Sequence, residues 1–179
     1  MIYLVRHGEA ASGWGAHPDP GLSDMGQAQA TSAAEALSAF SIQAALTSPM
    51  RRCQETAAPF ARQEPLELSI EPRVTEIPTP GDIVDRVLWL RNLMSGEWDA
   101  TPKLVQDWRQ TLIDTVSALP ENTVVFSHFV AINAIVGHME GSNKVTVFRP
   151  NHCSITQVKP TESGLKLIRR GEEAGTKVL

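Results

Sequence analysis

The chain of 179 residues, of which 42% are hydrophobic and 20% charged, has the size and composition of one globular domain and not of a disordered chain. Its net charge of −4 argues against nucleic acid and against a membrane surface as partners, because both usually require a basic face. No stretch approaches the roughly 18 apolar residues of a membrane span, and residues 1–6 lack the features of a signal peptide. We therefore expect a cytoplasmic protein with a single domain over residues 1–179, in which Cys53 and Cys153 remain reduced.

The first predicted strand, Ile2–Val5, is apolar on both faces, which is typical of a buried central strand. The polar tetrapeptide Arg6-His7-Gly8-Glu9 follows it directly. A loop rich in Gly and Pro is predicted over residues 12–22. A helix should then begin with Ser23 as its N-cap and extend to about Phe40.

The second predicted strand, Ile42–Thr47, is followed by a predicted helix with Ser48 at the cap and Pro49 at the first helical position. Further strands are predicted over 66–70, 123–126, 154–158 and 165–168, and further helices over 83–94, 103–119 and 129–139. Because strands alternate with helices, the fold class is α/β. We expect a three-layer sandwich in which helices cover both faces of a mostly parallel central sheet.

Three polar motifs each follow a predicted strand: residues 6–9, 48–52 and 127–128. Ligands of open α/β sheets bind beyond the carboxyl ends of the strands, so we expect these motifs to converge on one rim of the sheet.

The residue types in these motifs suit phosphate chemistry. The guanidinium of Arg6 can clamp phosphate oxygens in a bidentate way, and a neutral imidazole such as that of His7 can attack phosphorus. Arg52 lies in the first turn of a predicted helix, where an arginine makes sense mainly if an anion is bound. The competing interpretation is a solvent-facing residue, and we expect it to hold for Arg51.

Together these segments resemble the histidine phosphatase (phosphoglycerate-mutase-like) superfamily. The matching segments run in the family's order: residues 4–9, 22–30, 47–57, 76–77, 124–128 and 151–155. Six ordered elements are much more specific than any single motif.

The resemblance implies the roles of the phosphate-binding residues. His7 resembles the nucleophile, which forms a phosphohistidine. Arg6 and Arg52 resemble the phosphate clamps. His128 resembles the second histidine of the phosphate pocket, which is cationic when substrate is bound.

The resemblance also implies a general acid, Glu76, which protonates the leaving oxygen and then activates water. Some branches carry an aspartate acid directly after the second histidine, but this chain has Phe129 there, which moves the acid role to Glu76. The competing interpretation of Glu76 is a solvated carboxylate in a proline-rich loop. Glu9 is expected to orient the site, and Asn151 to brace the pocket from its far side.

His152, next to Asn151 in the last matching segment, has no role implied by the resemblance. If the segment is extended, the His152 side chain should point away from that of Asn151, because successive side chains of a strand face opposite sides.

The function implied is a metal-independent phosphatase that hydrolyses a phosphomonoester through a phosphohistidine and uses no cofactor. Its substrate would be a phosphorylated small molecule or a phosphoprotein, and a small lid-like region is expected around residues 77–108. The alternatives are a phosphoglycerate-type mutase, a phosphatase of phosphohistidine in signalling proteins, and a non-catalytic regulatory protein that binds a phosphorylated ligand. The short middle region, 81–119, argues against a mutase, because the mutases of this superfamily are longer there.

Overall fold

The computed structural model describes residues 1–13, 18–173 and 175, so the predicted loop over 12–22 is described only in part. Within these residues the strands are β1 (Ile2–Arg6), β2 (Ala44–Thr47), β3 (Leu68–Ile70), β4 (Thr123–Ser127), β5 (Ile155–Thr161) and β6 (Gly164–Arg169). The α-helices are α1 (Asp24–Leu37), α2 (Arg51–Gln63), α3 (Arg86–Met94), α4 (Lys103–Ser117) and α5 (Phe129–Met139).

The strands form one mixed sheet in the order β3-β2-β4-β1-β5-β6. The first four strands in this order are parallel to one another, whereas β5 runs antiparallel to β1 and β6 antiparallel to β5. Arg6 pairs with Ser127 and Thr47 pairs with Phe126, so β1, β2 and β4 end at the same edge. The predicted α/β class is confirmed, and the edge is the one at which the polar motifs were expected to meet.

Helices cover both faces of this sheet because its central strands are apolar on both sides. On β1, Ile2 and Leu4 enter a core formed with α3, α4 and α5, whereas Tyr3 and Val5 enter a second core formed with α1 and α2. This alternation follows from the two-residue period of a strand. The three layers hold the strand ends rigidly beneath the polar rim.

The helix boundaries differ from the prediction where side chains at the rim have other partners. Ser23 is the N-cap of α1 as predicted, and its Oγ accepts a hydrogen bond from the Gly26 N–H. The helix predicted to start at Ser48-Pro49 begins instead at Arg51. Ser48 is held to the sheet by its N–H, which donates to the carbonyl of Phe126, and its hydroxyl lies toward the polar rim.

The segment 77–108, around which a lid-like region was expected, is attached to the body of the molecule by a few buried side chains, and most of its other residues are exposed or half-buried. Ile77, Leu90, Leu93 and Trp98 belong to the core beneath α3–α5. None of the helices in the described part of the chain is both long enough and apolar enough to cross a lipid bilayer.

Candidate active site

The turn after β1 depends on two glycines that face each other. A Cβ atom on Gly8 would lie 2.7 Å from the Gly26 carbonyl oxygen, and one on Gly26 would lie 2.1 Å from the Glu9 carbonyl oxygen. The Gly8 N–H donates to the hydroxyl of Thr56 on α2. The absence of a side chain on Gly8 thus permits close approach of this turn to the start of α1.

His7 is almost fully buried, with 8% of its surface exposed. Its Nδ1 lies 2.7 Å from the carbonyl oxygen of Gly8. Because a carbonyl only accepts hydrogen bonds, this contact assigns the ring proton to Nδ1 and leaves a lone pair on Nε2. Burial, and then the charge of Arg52, hold the pKa of His7 well below 6.5, so the ring is neutral at pH 7.

Arg52 lies in the first turn of α2 and joins the two buried histidines. Its Nε donates to His7 Nε2 across 3.2 Å, and its Nη2 lies 3.2 Å from His128 Nδ1. Nη1 is 3.8 Å from the carboxylate of Asp19, which also accepts from the Arg51 N–H at the start of the helix. Arg51 itself faces solvent and pairs with Glu55, as the sequence indicates.

His128 is fully buried at the carboxyl end of β4. Its Nε2 lies 2.8 Å from the Ser48 hydroxyl, and its Nδ1 accepts from Arg52. Burial, and then the nearby His7 and Arg52, hold its pKa well below 6.5. The imidazole is thus neutral in the free protein, and only an added negative charge would favour the cationic form expected with substrate.

Cys53 packs against the His128 ring and is fully buried. Burial raises the pKa of its thiol well above the usual range, so it is a packing residue and not a thiolate.

Arg6 is oriented by the segment that precedes β5. Its Nη1 donates to the carbonyl of Pro150 at 2.8 Å, and its Nη2 lies 2.9 Å from His152 Nε2. The guanidinium carbon lies 5.2 Å from the centre of the Phe129 ring, a cation–π contact. Phe129 therefore supports the guanidinium of Arg6, the proposed phosphate clamp.

Glu76 is not a solvated loop carboxylate. Only 13% of its side chain is exposed, and its Oε2 lies 3.9 Å from His128 Nδ1. Burial raises its pKa, against the opposing effects of the Ile77 N–H, which donates to Oε1, and of the nearby arginines. A buried carboxyl group with a raised pKa is suited to donate a proton.

The loop that carries Glu76 is tied to the sheet. The Ser127 hydroxyl donates to the carbonyl of Val74 at 2.7 Å, and the Glu71 N–H donates to the carbonyl of Thr47. Val74 and Ile77, which flank the loop residue, are buried in the core. These contacts fix Glu76 beside the histidines although no regular element contains it.

Glu9 is exposed, and its contacts organise the start of α1. Its carboxylate accepts a hydrogen bond from the Ser23 hydroxyl at 2.7 Å, and its carbonyl accepts from the Ser23 N–H. The contacts of Glu9 are thus with the cap of α1, and its role in orienting the site stays a prediction.

Asn151 does not reach the pocket. It is exposed, and its Oδ1 accepts from the N–H of His152. The prediction that Asn151 braces the pocket is thus wrong. The adjacent His152 makes the contact with Arg6 instead. The segment is a turn and not an extended strand, with Cys153 at φ 58°, and this turn directs His152 inward.

Arg86 is a second residue that the sequence analysis missed. It lies in the first turn of α3, and its Nε donates to the Thr79 hydroxyl at 2.8 Å. Its charge lowers the pKa values of both Glu76 and His128. An arginine in the middle region carries no local motif, so the sequence held no signal for it.

A cavity of about 310 Å³ has a lining that includes Arg6, Arg52, Arg86, Glu9 and His152. The buried side chains of His7 and His128 are not among its lining residues; both contact Arg52. A larger groove of about 500 Å³ lies between α1 and the β5–β6 pair and shares only His152 with this cavity. The smaller cavity is the candidate site for a phosphate group because Arg6, Arg52 and Arg86 line it and Arg52 is hydrogen-bonded to His7.

The fold and the site define an α/β protein with an arginine-rich, histidine-containing pocket suited to a phosphate group. The family model described as "Histidine phosphatase superfamily (branch 1)" matches residues 2–81. The chain is 36% identical over 176 residues to the uncharacterized protein Rv0525 of Mycobacterium tuberculosis, an alignment that covers 88% of this chain and 87% of that protein. The chain belongs to the histidine phosphatase superfamily, as its motifs predict, and this membership supports a phosphatase-type enzyme.

Solved structures share the fold at lower identity. The mycobacterial glucosyl-3-phosphoglycerate phosphatase Rv2419c in complex with inorganic phosphate is 19% identical with a TM-score of 0.76, and the match covers 96% of this chain and 97% of that chain. The phosphoserine phosphatase of Entamoeba histolytica in complex with 3-phosphoglyceric acid is 20% identical with a TM-score of 0.75, covering 96% of each chain. These likenesses confirm the predicted architecture.

Proposed function

We propose that this protein is a phosphatase that hydrolyses a phosphomonoester, free or on a protein, through a phosphohistidine on His7. The observation that carries the proposal is the hydrogen-bonded arrangement of His7. Nδ1 donates to the Gly8 carbonyl, so the lone pair of Nε2 lies on the side of the ring that meets Arg52. A neutral imidazole with a fixed tautomer beside an arginine is what in-line attack on phosphorus requires.

In the first half of the reaction, phosphate oxygens replace His7 Nε2 as acceptors for the Arg52 guanidinium, and Arg6 contributes a second clamp. Nε2 then attacks phosphorus as the bond to the ester oxygen breaks. Glu76 gives its proton to that oxygen, and the alcohol leaves. The arginines stabilise the charge that spreads over the equatorial oxygens in the transition state.

In the second half, the Glu76 carboxylate takes a proton from water while the water oxygen attacks the phosphohistidine. The phosphorus–nitrogen bond breaks, and inorganic phosphate and neutral His7 are released. The same carboxyl group acts as acid and then as base, as in other two-step hydrolases.

The experiment is trapping of the intermediate. The wild-type protein is mixed with an aryl phosphate, quenched, and mapped for acid-labile, base-stable phosphate, with EDTA present and absent. We expect label on His7 and activity that survives EDTA, and we expect His7→Ala to abolish both. His138→Ala, at an exposed histidine on α5, is the matched control and should behave as wild type. Label on another residue would refute the nucleophile, and loss of activity with EDTA would refute the metal-independent mechanism.

The alternatives differ in where the phosphoryl group goes. A mutase would return it to an acceptor molecule and release little inorganic phosphate, whereas a non-catalytic binder would acquire no label. A phosphohistidine phosphatase would act on a phosphohistidine donor and not on esters. The burial and raised pKa of Glu76 favour ester hydrolysis, because neither a binder nor an enzyme acting on a labile phosphohistidine needs a strong proton donor.

A further inference from the structure

We infer that a second binding site, separate from the candidate active site, is formed by α4 and the short 3₁₀ turn Trp98–Ala100, and that it binds a small molecule through a carboxylate group. Its cavity of about 230 Å³ is lined by Trp98, Asp99, Gln106, Arg109 and Gln110. None of these residues lines the cavity that contains Arg6 and Arg52. The inference is therefore independent of the proposed function.

The cation of this cavity, Arg109, is half-buried. Its guanidinium carbon lies 4.9 Å from the centre of the Trp98 ring, a cation–π contact. Its Nε is fully buried, and no hydrogen bond or ion pair joins the guanidinium to any residue that the structure describes. Burial lowers the pKa of Arg109, and the charge of Asp99 opposes this effect only in part. Because a buried cation without hydrogen bonds is costly, acceptor oxygens of a ligand would stabilise it.

The indole of Trp98 supplies a second donor without an acceptor. Only 2% of the surface of Trp98 is exposed, and its Nε1 has no hydrogen-bond partner in the described part of the chain. Buried N–H groups in folded proteins are nearly always hydrogen-bonded. Two unpaired donors therefore lie on neighbouring side chains that line one cavity, and a carboxylate offers two oxygens to accept from them.

The other polar groups of the cavity limit the charge of the ligand. The amide nitrogens of Gln106 and Gln110 already donate hydrogen bonds elsewhere. The carboxylate of Asp99, which accepts a hydrogen bond from Asn143, would repel an anion. One guanidinium opposed by one carboxylate favours a monoanion over a dianion such as phosphate. The volume, which is below the range of about 300–1,000 Å³ for drug-sized ligands, favours a molecule of few heavy atoms.

The test follows the indole N–H resonances of the full-length protein by ¹⁵N–¹H NMR. Acetate is the probe, acetamide is its neutral counterpart of the same shape, and inorganic phosphate is the dianion. We expect acetate to shift the Trp98 resonance saturably, with a Kd between about 0.1 and 10 mM. Acetamide and phosphate should bind this site at least about 10-fold more weakly, because each lacks the match to a single charge-assisted pair.

Trp108 is an internal control for the resonance shift. Its Nε1 is also buried without an acceptor among the described residues, and its ring lies 6.4 Å from that of Trp98. Trp108 does not line the cavity, so its resonance should shift less than that of Trp98. A larger shift at Trp108 would place acetate elsewhere and would overturn the inference.

Arg109→Gln should weaken acetate binding at least about 10-fold, the effect of one charge-assisted hydrogen bond. Arg109→Lys, which keeps the charge without the planar donors, should weaken it about threefold and provides the test if the first variant does not fold. Lys103→Gln removes an exposed cation from the same helix and should bind acetate as wild type does. Urea unfolding of each variant shows whether it is folded.

Three results would overturn the site. Without a saturable Trp98 shift up to about 50 mM acetate, the two donors are satisfied by water alone. Undiminished acetate affinity in both Arg109 variants would remove the proposed ligand of the carboxylate. Loss of the shift when inorganic phosphate is added in excess would place acetate in the phosphate cavity or show that the site accepts a dianion. Each of these results leaves the proposed phosphatase untouched.

Discussion

Nε of Arg52 lies 3.2 Å from Nε2 of His7, so the guanidinium that would clamp the phosphate is hydrogen-bonded to the atom that would attack it. The contact positions both side chains before substrate binds. It requires that the His7 ring be neutral with its proton on Nδ1. Positioning of this kind provides much of the rate enhancement in phosphoryl transfer.

Arg52→Lys should therefore lower kcat/KM for an aryl phosphate by at least about 100-fold. A lysine lacks the planar set of donors that contacts both histidines in the free protein and would bind phosphate oxygens in the complex. Arg51→Lys is the matched control, since the Arg51 side chain is 66% exposed and that of Arg52 only 11%. Steady-state kinetics of the two variants decide the question. Similar activities in both variants would show that Arg52 is not the clamp, and a loss confined to Arg51→Lys would assign the clamp to Arg51.

Glu76→Gln should lower kcat for an alkyl phosphate by about 100- to 10,000-fold, the usual contribution of a general acid, and by much less for 4-nitrophenyl phosphate, whose leaving group needs little protonation. Glu71→Gln is the control, because that carboxylate pairs with Arg73 on the same loop. Equal losses on both esters would place the acid elsewhere, with Glu9 the next candidate.

The kcat/KM of wild type for alkyl phosphates should also depend on pH through Glu76. Burial raises the pKa of Glu76, and the donor must be protonated, so kcat/KM for alkyl phosphates should fall as pH rises through that raised pKa. The fall should be absent in Glu76→Gln. Its persistence in the variant would assign it to another group, such as the phosphate of the substrate.

His152→Ala should raise KM for an aryl phosphate about 10-fold, because the Arg6 guanidinium loses the acceptor that orients it and one charge-assisted hydrogen bond. Asn151→Ala should change KM less than about threefold, since its side chain bonds only to the adjacent backbone. Titration of inorganic phosphate binding provides a second readout, in which affinity should fall in the first variant alone. The opposite order would restore Asn151 as the bracing residue.

Folding stability should decrease as pH falls below about 6.5, the ordinary pKa of an unfolded histidine. Burial and Arg52 hold the pKa values of His7 and His128 well below that value, so the unfolded chain binds more protons and acid favours unfolding. Each histidine contributes a slope approaching about 1.4 kcal/mol per pH unit. Glu76 has the opposite effect on stability. Its pKa is raised on folding, so its contribution to the free energy of unfolding is lost as pH rises.

Urea unfolding at pH 7.0, 6.0 and 5.5 measures this slope. His128→Gln should reduce it by about one proton, whereas His138→Ala, at an exposed site, should leave it as in wild type. An unchanged slope in His128→Gln would contradict a neutral, buried His128.

Most of the fold could be predicted from the sequence because its signals are local. The apolar run over Ile2–Val5 predicts a strand, and the cap at Ser23 predicts the start of a helix. Each signal lies within a few residues of the element that it specifies. The start of α2 was misplaced because Ser48 has a distant partner, His128, which lies 80 positions along the chain. A local pattern cannot reveal that competition.

The convergence of Arg6, His7, Arg52 and His128 could be predicted from the sequence, because each follows a strand and the carboxyl ends of parallel strands meet at one edge. Their proposed roles come from the family resemblance. What the tertiary structure decided is the environment of the remaining side chains. Burial in a loop that is tied to the sheet through Ser127 and Val74 raises the pKa of Glu76. The turn at Cys153 directs His152, and not Asn151, toward Arg6. Arg86 enters the pocket only because α3 packs beside it. The physical reason is that periodicity and capping act over one or two turns of chain, whereas burial and charge depend on neighbours that the fold brings from far away.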